Sequence, residues 1–279
     1  MTDTHAKPAR TVGILPNTLR DIDLNYTKLL ASYLHEQGCK VFIEEQHAPL
    51  PHTQSATLDT ICNSCDFVIF LGGDGTILQK IATCARYDVP LIGINLGSVG
   101  YLADVEREEG LEAVGKVLAG QYTTDKRLLI STTLGGECLP ALNDICVIKR
   151  DQTKLLNLTL YVNGDYIDTY RGDGIIISTP TGSTAYNMAA GGPIIKPDAN
   201  AIVVTPIAPY KIYSRPLVLS GSDTVTIMCE ETQDGLLSID GTTHPLAPTI
   251  SIKRSDFDAT ILRTNAQNFY DVLRKKFFL

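Results

Sequence analysis

Apolar and polar positions in the first part of the chain follow two alternating periods. Short apolar runs predict strands at Thr11–Leu15, Lys40–Glu44, Asp66–Leu71 and Pro90–Ile94. Apolar residues at spacings of three and four predict helices from Tyr26 to Leu34, from Ile77 to Ala85 and from Leu111 to Leu118. This alternation indicates a doubly wound, Rossmann-like α/β domain over residues 1–125.

Beyond residue 125 the pattern changes to short strand-like runs. They are Arg127–Leu134, Ala141–Lys149, Leu156–Val162, Asp165–Tyr170, Gly174–Ser178, Ala201–Thr205, Pro216–Leu219, Thr224–Cys229, Leu236–Ile239, Thr249–Lys253 and Ala259–Arg263. Their number and spacing predict a β-rich sandwich domain over residues 126–264. Helical periodicity over Gln267–Phe278 predicts a terminal helix, and we expect residues 265–279 to join the first domain.

Composition narrows the class of protein. The chain has 279 residues and a net charge of −7, which disfavours non-specific binding to nucleic acid. No apolar stretch approaches the ~18 residues that a membrane-spanning helix needs. The seven cysteines are odd in number and scattered, and the polar start resembles no secretory signal. We therefore expect reduced thiols and a cytoplasmic protein.

The segment Gly72-Gly-Asp-Gly-Thr76 carries the clearest chemistry. It follows an apolar strand, and ligands of α/β sheets bind where strands end. Glycines let backbone N–H groups approach a phosphate, and Thr76 is expected to open a helix whose N-terminus favours anions. Asp74 lies in the middle of this site, where a cation must bridge it to phosphates or it accepts a proton from an attacking hydroxyl. Both interpretations indicate phosphoryl transfer; the structural alternative is that Asp74 caps the helix.

Several common site types are absent from the sequence. It has no Gly-x-x-x-x-Gly-Lys-Ser/Thr phosphate loop, no protein-kinase motif pair and no Gly-x-Gly-x-x-Gly dinucleotide motif. The five histidines show no metal-ligand spacing, so no resident metal site is predicted.

A second unusual stretch runs from Arg171 to Tyr186. A buried strand there ends in a turn rich in hydroxyls, at Thr179, Thr181, Ser183 and Thr184. Such a turn can donate hydrogen bonds to phosphate or ribose, and Tyr186 could stack on a base. Asn143-Asp144 opens another strand and can hold a ribose diol, although each feature alone is also compatible with an ordinary turn or hairpin loop.

Together these motifs resemble the NAD kinase family. The resemblance rests on Gly72–Thr76, on Asn143-Asp144, on the long motif from Asp173 to Tyr186, on Gly191-Gly-Pro193 and on Arg215-Pro216. The glycine motif is shared with lipid kinases and phosphofructokinases, whereas the hydroxyl-rich motif is specific. The resemblance implies phosphorylation of the 2′-hydroxyl of the adenosine ribose of NAD by ATP with Mg²⁺, giving NADP.

The resemblance also implies roles for individual residues. Asp74 matches the general base, and Gly72, Gly73, Gly75 and Thr76 match the loop for ATP phosphates. Implied NAD contacts are Asp74, Gly75, Tyr101, Asn143, Asp144, Lys154, Arg171, Asp173, Thr184, Ala185, Tyr186, Ala189 and Thr242. Family members are commonly dimers or tetramers, and the Pro206–Tyr210 stretch is expected to complete a neighbouring subunit's site.

Two other functions remain as alternatives. One is a nucleotide-binding sensor without catalysis, which the intact Asp74 disfavours. The other is a lipid kinase sharing the glycine motif, which the polar turn at Thr181–Tyr186 disfavours.

Overall fold

The computed structural model describes residues 11–97, 100–151, 153–211, 213–265 and 269–277. These residues form two compact units, one drawn from Met1–Lys126 and Ala259–Leu279 and the other from Arg127–Asp258. Within the described part of the chain, every helix is too short or too polar to cross a membrane.

The strands and helices are numbered in chain order. The strands are β1 Thr11–Pro16, β2 Lys40–Glu44, β3 Gln54–Ala56, β4 Phe67–Gly72, β5 Leu91–Asn95, β6 Val105–Glu106, β7 Thr123–Arg127, β8 Ile130–Leu134, β9 Glu137–Ala141, β10 Asp144–Lys149, β11 Leu156–Val162, β12 Asp165–Gly172, β13 Gly174–Ser178, β14 Ala201–Ile207, β15 Leu217–Ser220, β16 Val225–Met228, β17 Gly235–Ile239, β18 Thr242–Pro245, β19 Thr249–Arg254 and β20 Ala259–Arg263. The helices are α1 Asn25–Glu36, α2 Leu58–Ser64, α3 Asp74–Leu78, α4 Ile81–Arg86, α5 Gly110–Leu118, α6 Tyr186–Ala189 and α7 Phe269–Phe277.

The first unit is built on a sheet with the order β3-β2-β1-β4-β5-β20-β7, with β6 beside β5. The pairs from β3 to β5 are parallel, and β4 is buried along its whole length, as a strand covered on both faces must be. The order reverses between β1 and β4, so this is the doubly wound arrangement that the sequence predicts. In such sheets ligands bind beyond the carboxyl ends of the strands at the reversal. That rule points to the loops after Pro16 and after Gly72.

The first unit differs from the sequence analysis in several elements: β3, α2, β6 and β7 were not predicted, and two predicted elements are placed or divided differently. The run Ala259–Arg263 was assigned to the sandwich, but Ile261 pairs with Leu91 in parallel within the first sheet. A short apolar run predicts a strand but does not identify the strand with which it pairs. In the structure, Ile261 and Leu262 are buried in the first sheet. The helical pattern from Ile77 to Ala85 forms two short helices, α3 and α4, and α3 begins at Asp74 rather than Thr76.

The second unit consists of two antiparallel sheets, each with six described strands. Their orders are β15-β14-β13-β10-β17-β18 and β12-β11-β16-β19-β8-β9. Alternate residues of both sheets form one apolar core, for example Ile145 and Ile177 with Leu158 and Ile227. This is the β-sandwich that the strand spacing predicts. The predicted tail helix is present as α7; Gln267 and Phe278 lie outside the described residues.

Helix α1 follows β1 and is started by a buried carboxylate. Asp21 accepts hydrogen bonds from the backbone N–H groups of Tyr26 and Thr27, both at 2.8 Å. These are two of the four N–H groups that the first turn of a helix leaves without a helical partner. Asp21 is only 3% exposed, so water cannot replace it.

We predict that Asp21→Asn lowers the free energy of unfolding by about 1–3 kcal/mol, because an amide leaves one buried N–H group facing another donor. Urea denaturation followed by circular dichroism measures the change. Asp23→Asn, on the exposed neighbouring carboxylate, is the matched control and should have little effect. Equal stability of the two variants would contradict the role of Asp21.

Candidate active site

The glycine loop leaves the sheet at the point where the strand order reverses. Gly72 is the last residue of β4, and Gly73 precedes α3. A Cβ atom on Gly72 would lie 2.4 Å from Thr76 Oγ1, so this glycine is required by packing. Among the residues that the structure describes, none lies within 4 Å of a Cβ atom on Gly75, so their packing does not require that glycine. The described part of the structure therefore leaves open space at Gly75.

The carboxylate of Asp74 is held by the Tyr101–Ala103 segment. Its Oδ2 accepts from Tyr101 N at 2.8 Å, and its Oδ1 accepts from Leu102 N at 3.0 Å and from Ala103 N at 3.1 Å. The N-cap position of α3 is Gly73, and no side chain caps the helix there. The carboxylate is therefore not the helix cap that the sequence analysis kept as an alternative. It is an oriented acceptor at the end of the central strand.

The close contact between the Asp74 carboxylate and the Tyr101–Ala103 segment requires a glycine at position 100. A Cβ atom on Gly100 would lie 1.8 Å from Asp74 Oδ1. Tyr101 itself lies with its ring 6.1 Å from that of Phe269, and its pKa is raised mainly by burial and further by the Asp74 carboxylate. Tyr101 is an NAD contact implied by the family resemblance, and in the structure its backbone N–H also holds Asp74.

Two residues of the loop after β1 reach the glycine loop, and sequence reasoning missed both. Asn17 Nδ2 donates to Thr76 Oγ1 at 2.9 Å and ties the two loops together. Arg20 Cζ lies 3.8 Å from the position of a Cβ atom on Gly73. The Arg20 guanidinium thus brings positive charge to the loop. The one sequence feature that could have identified Arg20 is its position, in the loop after a strand that ends where the strand order of the sheet reverses.

In the second unit, the backbone of Asn143 and Asp144 is fixed by the carboxylate of Asp240. Asp240 accepts from Leu142 N at 2.7 Å, from Asn143 N at 2.8 Å and from Asp144 N at 3.1 Å. Its own N–H donates to Asp144 O at 3.0 Å. Asp240 lies in the turn between β17 and β18, and no motif pointed to it.

Both carboxylates at this place titrate above their ordinary ranges. Burial raises the pKa of Asp144, although the Cys146 thiol donates to it and acts in the opposite direction. Burial also raises the pKa of Asp240 to about 6; the three backbone N–H groups oppose that rise and the Asp144 carboxylate adds to it. The site therefore contains buried acids that change charge closer to neutral pH than ordinary acids do.

The hydroxyl-rich turn packs against Asn143, and its hydroxyls mainly hold the turn itself. Thr179 Oγ1 donates to Leu142 O, and Ser183 Oγ donates to Pro180 O at 2.7 Å. Thr181 Oγ1 accepts from Arg127 Nη1, and Thr184 Oγ1 donates to Thr181 O. Thr179 and Ser183 are fully buried, so the sequence-based idea that these hydroxyls face a ligand is wrong for them in this structure. They shape the turn.

The name "cluster of the second unit" is used for Asn143, Asp144, Asp173, Tyr186 and Asp240. Asp144 pairs with Ser178 at one end of β10 and β13, and Asp173 precedes Gly174 at the other end. Tyr186 is half-exposed, and its pKa is raised by burial first and then by nearby charges that include Asp173 and Asp144. Lys149 Nζ pairs with Asp173 Oδ1 at 2.7 Å. Asp144 and Asp173 thus lie at opposite ends of the β10–β13 pair, and Tyr186 begins the short helix α6 that follows β13.

The other sequence-predicted residues lie in several places. Thr184, Ala185 and Ala189 belong to the turn and to α6, next to Tyr186. Lys154 pairs with Asp234 Oδ1 at 2.8 Å, and the Arg171 guanidinium lies 5.9 Å from the centre of the Tyr210 ring. Thr242 is exposed in β18, two residues beyond Asp240. The structure places Lys154 in an ion pair of its own.

The chain is similar to proteins of known family. The ATP-NAD kinase N-terminal domain family matches residues 12–122, and the ATP-NAD kinase C-terminal domain family matches residues 142–264. A protein of Thermoanaerobacter sp. (strain X514) named NAD kinase is 36% identical over 96% of this chain and 98% of its own length. An NAD kinase of Clostridium botulinum (strain Loch Maree / Type A3) is 33% identical over 96% of each chain.

Two solved structures have the same fold. Yeast NADH kinase, complexed with NADH, superposes with a TM-score of 0.84 at 25% identity, covering 96% of this chain and 86% of its own. An NAD kinase from Archaeoglobus fulgidus, in complex with ATP, gives a TM-score of 0.79 at 26% identity, covering 95% of this chain and 98% of its own.

The raised pKa of Asp240 predicts a pH dependence of stability. Because the folded protein binds this proton more tightly than the unfolded chain, the contribution of Asp240 to stability is greatest below its ordinary pKa of 3.8 and is lost as the pH rises through about 6. We expect a loss on the order of 3 kcal/mol over that range. The difference in unfolding free energy between the wild type and Asp240→Asn, measured from pH 4 to pH 7, isolates this group.

Asp198→Asn, on an exposed carboxylate that pairs with Lys196, is the control for the loss of one surface charge. Its difference from the wild type should stay flat over the same range. A flat difference for Asp240→Asn would show that Asp240 does not titrate there.

Proposed function

The chain belongs to the NAD kinase family and is a phosphotransferase, and we propose that Asp74 is its general base. In this proposal the γ-phosphoryl group of ATP is transferred to the 2′-hydroxyl of the adenosine ribose of NAD, and NADP is formed. The observation that carries the proposal is the Asp74 carboxylate, held by three backbone N–H groups at the reversal of the sheet. The family places NAD and ATP in the same reaction, and the fixed orientation of the Asp74 carboxylate supports its proposed role as the proton acceptor.

The chemistry of Asp74 follows from its setting. As the 2′-hydroxyl oxygen attacks the γ-phosphorus, its proton passes to Asp74 and the bond from phosphorus to the bridging oxygen of ADP breaks. In phosphoryl transfer the protein takes little part in the covalent chemistry. Positioning of the reactants and stabilisation of charge therefore supply most of the rate enhancement. An oriented carboxylate is suited to this task because it approaches the proton at a fixed angle.

ATP is proposed to bind with its phosphates along Gly72, Gly73, Gly75 and Thr76. The open space at Gly75 supports this, since a side chain there would occupy the space offered to the ligand. Mg²⁺ is proposed to arrive with ATP as part of the substrate. Among the described residues no group of three His, Cys, Asp or Glu side chains is arranged to hold a metal ion.

NAD is proposed to bind the cluster of the second unit. Asn143 and Asp144 would hold a ribose diol, because their backbone is fixed by Asp240 and their side chains offer an amide and a carboxylate. Tyr186 would stack on a planar ring of the ligand, supported by its half-exposed face. The further contacts proposed are Tyr101, Lys154, Arg171, Asp173, Thr184, Ala185, Ala189 and Thr242.

We predict that Asp74→Asn lowers kcat by about 10²–10⁴-fold, the usual contribution of a general base. An amide is nearly isosteric but accepts no proton from a hydroxyl. The assay supplies NAD, ATP and Mg²⁺ and reads NADP with an NADP-specific dehydrogenase. Asp88→Asn, an exposed carboxylate in the same unit, serves as the control.

The outcomes separate the candidate functions. Wild-type turnover by Asp74→Asn would show that Asp74 is not the base. A wild-type protein that binds NAD but forms no NADP would be a nucleotide-binding sensor. Phosphorylation of a lipid in place of NAD would identify a lipid kinase.

Self-association is proposed to involve the stretch that follows β14. Tyr210 and Tyr213 are 75% and 87% exposed. Their loop is anchored to β12, because Tyr210 N donates to Arg171 O at 2.7 Å and Lys211 pairs with Asp168. Large apolar rings held in place on a surface favour a protein interface. The proposed assembly is a dimer or a tetramer, in which Pro206–Tyr210 completes a neighbour's site.

We predict that the double variant Tyr210→Ser and Tyr213→Ser shifts this assembly toward the monomer. Light scattering coupled to size exclusion measures the mass. Tyr166→Ser, on another exposed ring in the same unit, is the control and should keep the wild-type mass. A monomeric wild type, or a double variant of unchanged mass, would contradict this interface.

A cytoplasmic location is proposed from the cysteines. All seven lie among the described residues and none is in a disulfide; the sulfur atoms of Cys62 and Cys84 are 3.7 Å apart. Free thiols persist where the compartment is reducing.

A further inference from the structure

Arg263, in β20, is largely buried beside the Tyr101–Ala103 segment. Its side chain is 13% exposed and faces two carboxylates. Nη1 lies 2.8 Å from Asp104 Oδ1, and Nη2 lies 2.9 Å from Asp125 Oδ2. A buried guanidinium needs such partners, because its charge is otherwise poorly compensated. The two carboxylates compensate the buried charge of Arg263, but they are not its only contacts.

The remaining contacts of Arg263 go to the backbone that holds Asp74. Nη2 donates to Tyr101 O at 3.0 Å, and Nη1 donates to Leu102 O at 3.2 Å. Each of these carbonyl groups belongs to the same peptide unit as the N–H group of the following residue. Those N–H groups, of Leu102 and Ala103, are two of the three that donate to Asp74. Arg263 and Asp74 therefore hold the same two peptide units from their two sides.

A peptide unit transmits this contact rigidly. It is planar, and its C=O and N–H bonds point in opposite directions. A cation on the oxygen fixes the plane and polarises the N–H group toward its acceptor, so hydrogen bonds in such a chain strengthen one another. The guanidinium thus sets the direction of two of the donors that orient the Asp74 carboxylate.

We infer that Arg263 is a positioning residue for the general base, acting on Asp74 through the peptide units that follow Tyr101 and Leu102. The inference rests on the proposed role of Asp74. Arg263 fills this role without contacting either substrate. It holds the carboxylate at the angle from which it takes the proton.

The geometry also explains why a lysine could not replace this arginine. The guanidinium has five N–H groups in one plane. Nε and Nη2 donate to Asp125 Oδ2, Nη2 also donates to Tyr101 O, and Nη1 donates to Leu102 O. Nη1 also forms the ion pair with Asp104. An ammonium group has three donors and no plane. A lysine would keep the charge but lose the simultaneous hold on both peptide units.

The test compares Arg263→Lys with the wild type in the NADP-forming assay. We expect kcat to fall about 10²-fold, the effect of misplacing a reacting group by about 1 Å. KM for NAD and for ATP should stay unchanged, because neither substrate loses a contact. A purely structural role would give a different result, since partial unfolding lowers the amount of active enzyme together with the melting temperature.

Three further variants make the test decisive. Tyr26→Phe removes a buried hydrogen bond to Arg107 O elsewhere in the same unit, and is the control for lost stability alone. Asp125→Asn weakens the hold on Arg263 but keeps the guanidinium, and should lower kcat less than Arg263→Lys does. Arg263→Ala should regain kcat in dilute guanidinium. It should not regain kcat in methylammonium, which has the positive charge but lacks the planar set of N–H donors.

The outcomes are distinct. A fall in kcat with unchanged KM values, together with rescue by guanidinium alone, would support the inference. Full activity of Arg263→Lys, or a loss that matches Tyr26→Phe at equal melting temperature, would overturn it while the NAD kinase function stands. If Arg263→Lys does not fold, absence of rescue in a folded Arg263→Ala or full activity of Asp125→Asn would overturn it. A wild type that makes no NADP would overturn the proposed function and this inference together.

Discussion

The arrangement on which the candidate sites of both units depend is a carboxylate bound by successive backbone N–H groups. Asp74 accepts from the Tyr101–Ala103 segment, and Asp240 accepts from Leu142, Asn143 and Asp144. A side-chain donor can rotate away from its acceptor, but a peptide N–H moves only if the chain moves. Each carboxylate therefore fixes a stretch of backbone, and the backbone fixes the carboxylate in return.

The two carboxylates use this arrangement in opposite directions. At Asp74 the backbone is the support, and the carboxylate that it holds is the proposed general base. At Asp240 the carboxylate is the support, and it holds the backbone of Asn143 and Asp144, the pair proposed to bind a ribose. The cost is visible at Asp240, where burial outweighs three hydrogen bonds and raises the pKa to about 6. A buried carboxylate is retained there despite that cost, which is expected where position matters more than stability.

The sequence predicted what depends on local pattern. The apolar run of β4, the glycine loop after it and the hydroxyl-rich turn were all found where the structure has them. The sheet to which Ala259–Arg263 belongs was not, because pairing partners leave no trace in a five-residue apolar run. Asp240 and Arg263 were missed for the same reason. Their contacts join residues about a hundred or more positions apart, and neither lies in a motif.

The glycines near Asp74 show how a motif and its physical meaning can be separated. Gly72 is needed because Thr76 packs against it, and Gly100 is needed because Asp74 lies where its side chain would be. Both are explained by the protein alone. Gly75 is not, since none of the described residues lies within 4 Å of its Cβ position and no left-handed backbone demands a glycine there. The packing of the described residues therefore leaves this glycine without a structural reason. Gly75, rather than the whole motif, is thus the part of the loop on which the proposal of a bound phosphate rests.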